Sequence, residues 1–180
     1  MTSVLTLSIR EAVLSDASGI ARVHIDSWRT TYRGLVPESY LSNLSYSDRE
    51  EGWKRALENG RNFVFVAEDS SDAGKEIVGF ASGGSVRSHD PEYKGELYAV
   101  YLLSSYQRSG IGRRLVSKIA ESLVGEGYGS MLVWVLAKNP SRQFYEKLGG
   151  TLLRSQPIEI GGSKFEEVSY GWKNLTSFSK

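Results

Sequence analysis

A loop with two glycines joins an apolar segment to an amphipathic segment in the second half of the chain. The apolar segment, residues 97–103, predicts a strand, and the loop runs Tyr-Gln-Arg-Ser-Gly-Ile-Gly over residues 106–112. Apolar residues then recur at helical spacing, at Ile111, Leu115, Ile119 and Leu123. Because glycine permits a tight turn and a helix N-terminus carries unpaired N–H groups, this unit predicts a binding site for a phosphate-bearing ligand.

Three arginines crowd the start of that predicted helix, namely Arg108, Arg113 and Arg114. The helix dipole makes this end positive, so cations there are mildly unfavourable unless an anion binds. The alternative interpretation is that all three are ordinary solvated side chains. Two common phosphate loops are excluded: no Gly-Lys-Ser/Thr string occurs, and Leu115 stands where a dinucleotide fingerprint needs its third glycine.

The pattern Gln-x-x-Gly-x-Gly at residues 107–112 resembles the acyl-CoA pyrophosphate loop of the GNAT superfamily of N-acetyltransferases. Residues 139–149, Asn-Pro-Ser-Arg-Gln-Phe-Tyr-Glu-Lys-Leu-Gly, are similar to a second segment of that family, although Gly150 replaces its closing aromatic residue. Residues 9–21 are similar to its opening strand and first helix. The resemblance spans about residues 4–173 and implies one N-acetyltransferase domain over residues 1–180.

Hydrophobic periodicity predicts an α/β fold, in the order strand, two helices, three strands, helix, strand, helix and a final hairpin. The first helix is expected from Ser15-Asp16 to about Trp28, and a capping box at Ser47 is expected to open the next long helix, which Gly60 closes. Hairpin turns are expected within residues 70–74 and at Gly161-Gly162. The resemblance implies a mixed, mostly antiparallel sheet of about seven strands flanked by helices, with the strands at 96–103 and 131–136 splayed apart.

The resemblance further implies acetyl-CoA as co-substrate, with its pantetheine arm between the splayed strands. In the family, the backbone N–H that maps to Leu102 binds the carbonyl oxygen, although Ser104 stands where the family has proline. Asn139 matches the asparagine that contacts the pantetheine chain. The implied acetyl-CoA-binding residues are Leu102, Leu103, Gln107, Arg108, Ser109, Gly110, Ile111, Gly112, Arg113, Asn139 and Tyr145.

Acetyl transfer to an amine needs a neutral amine, stabilisation of the carbonyl oxygen and protonation of the leaving thiolate. Freeing an alkyl amine with a pKa of about 10.4 costs roughly 4 kcal/mol at pH 7. Glu96, at the start of the strand before the loop, is the candidate base through water, and Tyr145 is the candidate acid. Glu96 could instead be a solvated strand-end carboxylate, and Tyr145 could be a packing residue. His24 and Asp90 are weaker candidates for the base.

The acceptor site is expected near Trp28, Tyr32 and Glu96, with Trp53 as a further aromatic candidate. Asp26 and Glu38 could help to draw a cation, although aromatic residues at helical spacing more often belong to a core. Residues 24–37 are similar to a segment of many bacterial GNAT proteins. That similarity does not choose among a polyamine, an amino acid, an antibiotic and a protein N-terminus.

Composition narrows the function classes. Twenty-two Lys and Arg balance 21 Asp and Glu, giving a net charge of +1, which argues against a general nucleic-acid or membrane-surface binder. The absence of cysteine excludes disulfides and thiolate zinc sites, and two distant histidines do not suggest a metal. Without a basic leader or a long apolar run, the expected location is cytoplasmic, and the family allows a homodimer.

Three hypotheses for the function remain. The first is a small-molecule N-acetyltransferase, with a protein N-terminus as an alternative acceptor. The second is a non-catalytic acyl-CoA binding or sensing module. The third, an α/β-type serine hydrolase, is nearly excluded because no Gly-x-Ser-x-Gly string occurs.

Overall fold

A computed structural model describes residues 6–71 and 74–179 of the chain. One seven-stranded sheet runs through it, in the spatial order β1-β2-β3-β4-β5-β7-β6. Its strands are β1 (Thr6–Glu11), β2 (Phe63–Ser71), β3 (Gly74–Ser85), β4 (Gly95–Leu102), β5 (Met131–Leu136), β6 (Thr151–Ile160) and β7 (Ser163–Trp172). Only the β4–β5 pair is parallel. The mixed, mostly antiparallel sheet expected from the sequence is confirmed.

Helices cover both faces of this sheet. They are α1 (Ala17–Thr31), α2 (Glu38–Ser42), α3 (Tyr46–Asn59), α4 (Ile111–Gly125) and α5 (Arg142–Lys147). On one face, α1 and α3 pack apolar residues against alternate positions of β2 and β3, such as Val66 and Phe80. On the other face, α4 packs against the intervening positions, such as Ala67 and Ala81. The period-two alternation of these strands therefore fixes which helices cover which face.

Two helix boundaries differ from expectation. Helix α3 is capped by Ser45, not Ser47, because Ser45 has the extended backbone (φ −99°, ψ 124°) that an N-cap requires and its Oγ accepts from the Asp48 N–H at 3.2 Å. Gly60 ends the helix as expected, with a left-handed φ of 61°. Helix α1 continues three residues past Trp28.

Both predicted hairpins are present. The β6–β7 hairpin turns at Gly161 and Gly162, which have φ angles of 57° and 78°. Strands β2 and β3 pair up to Ser71 and Gly74, and their turn residues 72 and 73 lie outside the described residues. Apolar residues alternate over residues 1–9 and predict that the first strand begins there, but residues 1–5 also lie outside the described residues.

A β-bulge in β4 separates its two halves. The pairing with β3 shifts between Ser82 and Gly83, so that Tyr98 is an extra residue on β4. The parallel ladder with β5 ends at the pair Leu97 and Val133, one residue before the bulge. Because a bulge bends its strand and interrupts pairing, β4 diverges from β5 beyond this point. The expected splay of these strands is thus confirmed, and the bulge gives its local cause.

Among the described residues, no helix has both the length and the apolar character needed to cross a lipid bilayer.

Candidate active site

The gap between the diverging halves of β4 and β5 holds a cavity of about 80 Å³. Residues 98–102 of β4 line one side of it, and residues 133–135 of β5 line the other. The cavity is closed by Tyr32 at the end of α1, by Asn139 before α5 and by Tyr145 of α5. The structure therefore brings five predicted site residues to this cavity, namely Tyr32, Leu102, Gln107, Asn139 and Tyr145.

The backbone of β4 presents hydrogen-bonding groups to this gap. The N–H of Leu103 donates to the Val78 carbonyl in β3 at 3.0 Å. Since N–H groups alternate in direction along a strand, those of Val100 and Leu102 face away from β3, towards the gap. The Leu102 carbonyl faces the same way, because it accepts from Gln107 Nε2 at 3.3 Å. Leu103 offers no free backbone group, as its carbonyl accepts from the Tyr106 N–H at 2.9 Å.

The glycine loop follows a short 3-10 turn at Ser104–Tyr106. Arg108 and Gly110 both adopt left-handed backbone, with φ angles of 59° and 82°. A left-handed arginine is uncommon and marks a backbone held in a specific shape, typical of ligand-binding loops. Ser109 stabilises the turn by donating to the Tyr106 carbonyl at 2.5 Å.

The two glycines of the loop have different surroundings. A Cβ on Gly110 would meet no atom within 4 Å, so its backbone faces open space at the start of α4. A Cβ on Gly112 would lie 3.2 Å from Phe144 and 3.4 Å from Leu102, so this glycine lets α4 pack closely on its neighbours. Ile111 between them is buried in the core and contributes to the loop through its backbone.

The arginines near this helix start are all exposed, and none of them forms an ion pair within the described part of the chain. The first turn of α4 also contains no acidic residue. The predicted cluster of Arg108, Arg113 and Arg114 therefore gives the start of α4 an uncompensated positive charge, which favours an anionic ligand.

Tyr106 fastens the loop to the sheet. Its phenol donates to Asp69 Oδ2 in β2 at 2.7 Å, and this carboxylate raises the pKa of Tyr106 to about 12. Asp69 is buried, and its Oδ1 is the one side-chain nitrogen or oxygen of the described residues that is sealed from solvent without a partner. Tyr106 thus satisfies half of a carboxylate that would otherwise be buried without any partner.

Tyr145 projects from α5 into the cavity. Its ring packs edge-on against Phe144 and Trp172, and only 7% of the residue is exposed. The phenol oxygen has no hydrogen-bond partner among the described residues, yet it is not sealed from solvent. Burial, with a smaller effect of Tyr32, raises the pKa of Tyr145 well above its ordinary value. The side chain therefore holds its proton at neutral pH and can donate it into the cavity.

A chain of hydrogen bonds joins the cavity wall across distant segments. Asn139 Nδ2 donates to Tyr32 Oη at 3.3 Å, while Asn139 Oδ1 accepts from the Ser141 N–H at 2.8 Å and shapes the start of α5. Trp28 Nε1 donates to Tyr101 Oη at 3.0 Å. Burial raises the pKa of Tyr101 well above its ordinary value, and the pKa of Tyr32 is raised for the same reason. These phenols are neutral and hold the wall in shape.

Glu96 does not line the cavity. It lies in the paired half of β4, before the bulge, and is 2% exposed. Both oxygens of its carboxylate are occupied by Arg87: Oε2 accepts the backbone N–H at 2.9 Å, and Oε1 accepts Nη2 at 2.6 Å and Nε at 3.1 Å. The structure thus separates the candidate base from the candidate acid.

The two weaker candidates for the base, Asp90 and His24, also lie outside the cavity. Asp90 accepts the N–H groups of Glu92 and Tyr93 at 2.9 Å and pairs with Arg154, so it stabilises the turn before β4. His24 accepts from Trp53 Nε1 at 3.2 Å and stacks on the ring of Tyr101.

Ten of the residues that line the cavity were missed from the sequence, among them Tyr98, Val100 and Tyr101 of β4. Their segment had been assigned to a strand, but the bulge at Tyr98 decides which of its groups face the gap. Because backbone N–H groups two residues apart in a strand point the same way, the prediction for Leu102 could have been extended to Val100.

Comparisons with known proteins show the family of this chain. Residues 86–157 match the family model described as FR47-like protein. The chain is 44% identical over 171 residues to an uncharacterized N-acetyltransferase, YuaI of Bacillus subtilis, covering 95% of each protein. It is 28% identical over 145 residues to the probable N-acetyltransferase Rv2775 of Mycobacterium tuberculosis, covering 78% of each.

The fold is also that of a solved structure. YncA from Salmonella typhimurium, a putative acetyltransferase determined with acetyl-CoA, superimposes with a TM-score of 0.68 at 22% identity, covering 94% of each chain. Similarity at this identity concerns the fold, whereas the 44% identity to YuaI extends over nearly the whole of both proteins. The chain therefore belongs to the GNAT superfamily of N-acetyltransferases.

Proposed function

We propose that this chain, acting as one domain, transfers an acetyl group from acetyl-CoA to a primary amine of a small molecule. The observation that carries this proposal is the continuous arrangement of the glycine loop, the gap beside Leu102 and the free phenol of Tyr145. A phosphate site, a slot for an extended chain and a proton donor follow one another along the path that acetyl-CoA would occupy.

Acetyl-CoA binding is supported at both ends of this path. The open backbone at Gly110 and the unpaired arginines suit the pyrophosphate. The unpaired edge of β4 suits the pantetheine amides, which can hydrogen-bond to Val100 and Leu102 as an added strand would. Asn139 has its amide committed to Tyr32 and Ser141, so we assign it the role of shaping the cavity wall.

The reaction needs no covalent enzyme intermediate. The amine nitrogen forms a bond to the thioester carbon, and the carbonyl oxygen gains negative charge that the N–H of Val100 or Leu102 stabilises. When the carbon–sulfur bond breaks, the thiolate takes the electron pair, and the Tyr145 phenol donates a hydrogen bond and then its proton to the sulfur. The phenol is restored by a proton from water.

The amine also loses a proton, and we propose that water accepts it. Within the described residues, the cavity lining contains tyrosines but no carboxylate, imidazole or ammonium group. The raised pKa values of Tyr32, Tyr101 and Tyr145 make their phenolates scarce at neutral pH. We therefore assign Glu96 to holding Arg87 and the start of β4, instead of the role of base.

A small acceptor fits the enclosure of the cavity. Tyr32, Val36 and Leu41 pack with Leu136 and Ile160 in one apolar cluster, which joins the α1–α2 segment to the β6–β7 hairpin. A Cβ on Gly161 of that hairpin would lie 2.9 Å from Tyr40. This contact and the cavity volume of about 80 Å³ favour a small molecule over a protein N-terminus.

The test is release of the CoA thiol from acetyl-CoA in the presence of separate amines: spermidine, several amino acids and an aminoglycoside. We expect at least one amine to stimulate release far above the rate of hydrolysis, with the acetylated amine detected by mass spectrometry. A tight complex with acetyl-CoA that releases no thiol with any amine would instead support the non-catalytic sensor. Absence of acetyl-CoA binding would contradict both functions.

A further inference from the structure

A cleft separate from the reaction cavity opens between α1 and α3. It has a volume of about 470 Å³ and is lined by His24 of α1, by residues 43–45 and by one face of α3. Arg49 and Trp53 are the cationic and aromatic members of that face. No residue lines both this cleft and the reaction cavity.

Arg49 is the cationic group of this cleft, and its side chain has no partner among the described residues. Its side chain is half-buried, and within residues 6–71 and 74–179 it forms neither an ion pair nor a side-chain hydrogen bond. Asp48 also lines the cleft, but its side chain is exposed and lies in the first turn of α3, where the helix dipole stabilises a carboxylate. A partly desolvated guanidinium without a counter-charge is unfavourable, and a bound anion would remove that penalty.

His24 provides an uncharged donor beside this arginine. Its Nδ1 accepts the Trp53 indole N–H at 3.2 Å, so the neutral ring must carry its hydrogen on Nε2. Burial, together with the nearby charge of Arg49, lowers the pKa of His24 to about 3. Nε2 has no partner among the described residues and is not sealed from solvent, which leaves its N–H free to donate.

The rest of the lining suits an apolar body. Trp53 holds its indole in place through the His24 bond and an edge-on contact with Phe80, with ring centroids 5.0 Å apart. Leu44 and Ala56 line the same cleft. Pockets for small ligands combine apolar walls of this kind with a few fixed polar groups.

Tyr101 connects the cleft to the wall of the reaction cavity. It lines the cavity, its Oη accepts from Trp28 Nε1 at 3.0 Å, and the His24 ring of the cleft stacks on it with centroids 5.2 Å apart. A ligand in the cleft would therefore contact the back of the reaction-cavity wall, without entering the gap between β4 and β5.

We propose that this cleft binds a small organic carboxylate. The Arg49 guanidinium pairs with the carboxylate, the His24 Nε2–H donates to one of its oxygens, and the apolar part of the ligand lies against Trp53. The site does not depend on the proposed acetyl transfer.

The test is calorimetric titration of the full chain with benzoate, compared with benzamide, which has the same ring and no charge. We expect benzoate to bind at least about tenfold more tightly than benzamide, a difference of about 1.4 kcal/mol. Arg49→Gln should remove that preference. Arg55→Gln, an exposed arginine on the same helix, is the matched control and should keep it. Melting temperatures check that both variants fold.

Three results would overturn this proposal. They are no benzoate binding up to about 20 mM, equal binding of benzoate and benzamide, and an affinity for benzoate that Arg49→Gln leaves unchanged. Displacement of bound acetyl-CoA by benzoate would also overturn it, because the cleft and the reaction cavity share no lining residue. None of these measurements uses turnover, so their outcome is distinct from that of the thiol-release assay.

If benzoate binds as expected, kinetics with an amine acceptor test whether the cleft is separate from the acceptor site. A partial effect on turnover that saturates with benzoate would support a separate ligand site, acting through the contact between His24 and Tyr101. Competitive inhibition by benzoate against the acceptor would overturn a cleft that is separate from the reaction cavity.

Discussion

The buried carboxylate of Glu96 is bound by Arg87, with 2.6 Å between Glu96 Oε1 and Arg87 Nη2. A second oxygen accepts the Arg87 backbone N–H. This pairing orders the segment that leads into β4 and makes Glu96 a structural residue in our account.

Glu96→Gln should therefore reduce turnover by the same factor at pH 7 and pH 9. An amide has a single acceptor oxygen for the three N–H donors of Arg87, so we expect a loss of about 1–3 kcal/mol in unfolding free energy. Glu92→Gln, an exposed carboxylate paired with Lys173, is the control. A larger loss of turnover at pH 7, where the amine acceptor is mostly protonated, would identify Glu96 as the base after all.

Tyr145→Phe should lower turnover by about 10²-fold or more, because in our account this phenol protonates the departing thiolate. Affinity for acetyl-CoA and melting temperature should change little, since the phenol forms no hydrogen bond among the described residues. Tyr93→Phe, at a buried tyrosine outside the cavity, is the control. Wild-type turnover in Tyr145→Phe would make Tyr145 a packing residue.

Tyr106→Phe should weaken acetyl-CoA binding more than it changes the maximal rate. The variant leaves Asp69 buried without a donor and loosens the loop, so we expect KM for acetyl-CoA to rise by about tenfold, equivalent to about 1.4 kcal/mol. Tyr46→Phe removes a phenol that donates to Asp26 at 2.5 Å, far from the loop in the fold, and should leave KM unchanged. An equal rise in both variants would contradict a role for Tyr106 in holding the loop.

His24 should make the protein less stable in acid. Its pKa is lowered in the folded state to about 3, whereas the unfolded chain protonates near 6.5. The unfolded state therefore binds more protons between these values, and the unfolding free energy should fall by about 1.4 kcal/mol per pH unit below pH 6.5. Urea unfolding at pH 7, 5.5 and 4.5 measures this slope, which His24→Gln should reduce and His89→Gln, at an exposed histidine, should not. Equal slopes in wild type and His24→Gln would contradict a lowered pKa of His24 in the folded protein.

The fold was largely predictable from the sequence, because its strands and helices carry clear local periodicity. The strand, glycine loop and helix around Gly110 are read from adjacent residues, and so is the β6–β7 turn at Gly161 and Gly162. The cap of α3 was misplaced because Ser45 and Ser47 are both possible N-caps. Only the backbone angles of Ser45 decide between them.

The candidate site was less predictable, because its decisive contacts join distant segments. The Asn139–Tyr32 hydrogen bond connects residues 107 positions apart. The partner of Glu96 depends on how the chain turns between β3 and β4, and the cavity depends on a bulge at Tyr98 that periodicity does not reveal. Sequence reasoning thus proposed the loop, Tyr145 and Glu96, but it could not show that Glu96 lies in the paired half of β4 with Arg87 as its partner.

The central claim, that acetyl-CoA binds at the glycine loop, is tested most directly by calorimetric titration of Gly110→Ala against Gly127→Ala. The two glycines have φ angles of 82° and 83°, and a Cβ at either would meet no atom within 4 Å. Both substitutions should therefore carry the same strain, about 1–2 kcal/mol. We expect Gly110→Ala to weaken acetyl-CoA binding by at least about tenfold, because its methyl group covers the loop amides, and Gly127→Ala to bind as the wild type does. Equal acetyl-CoA affinity in the two variants would contradict the claim.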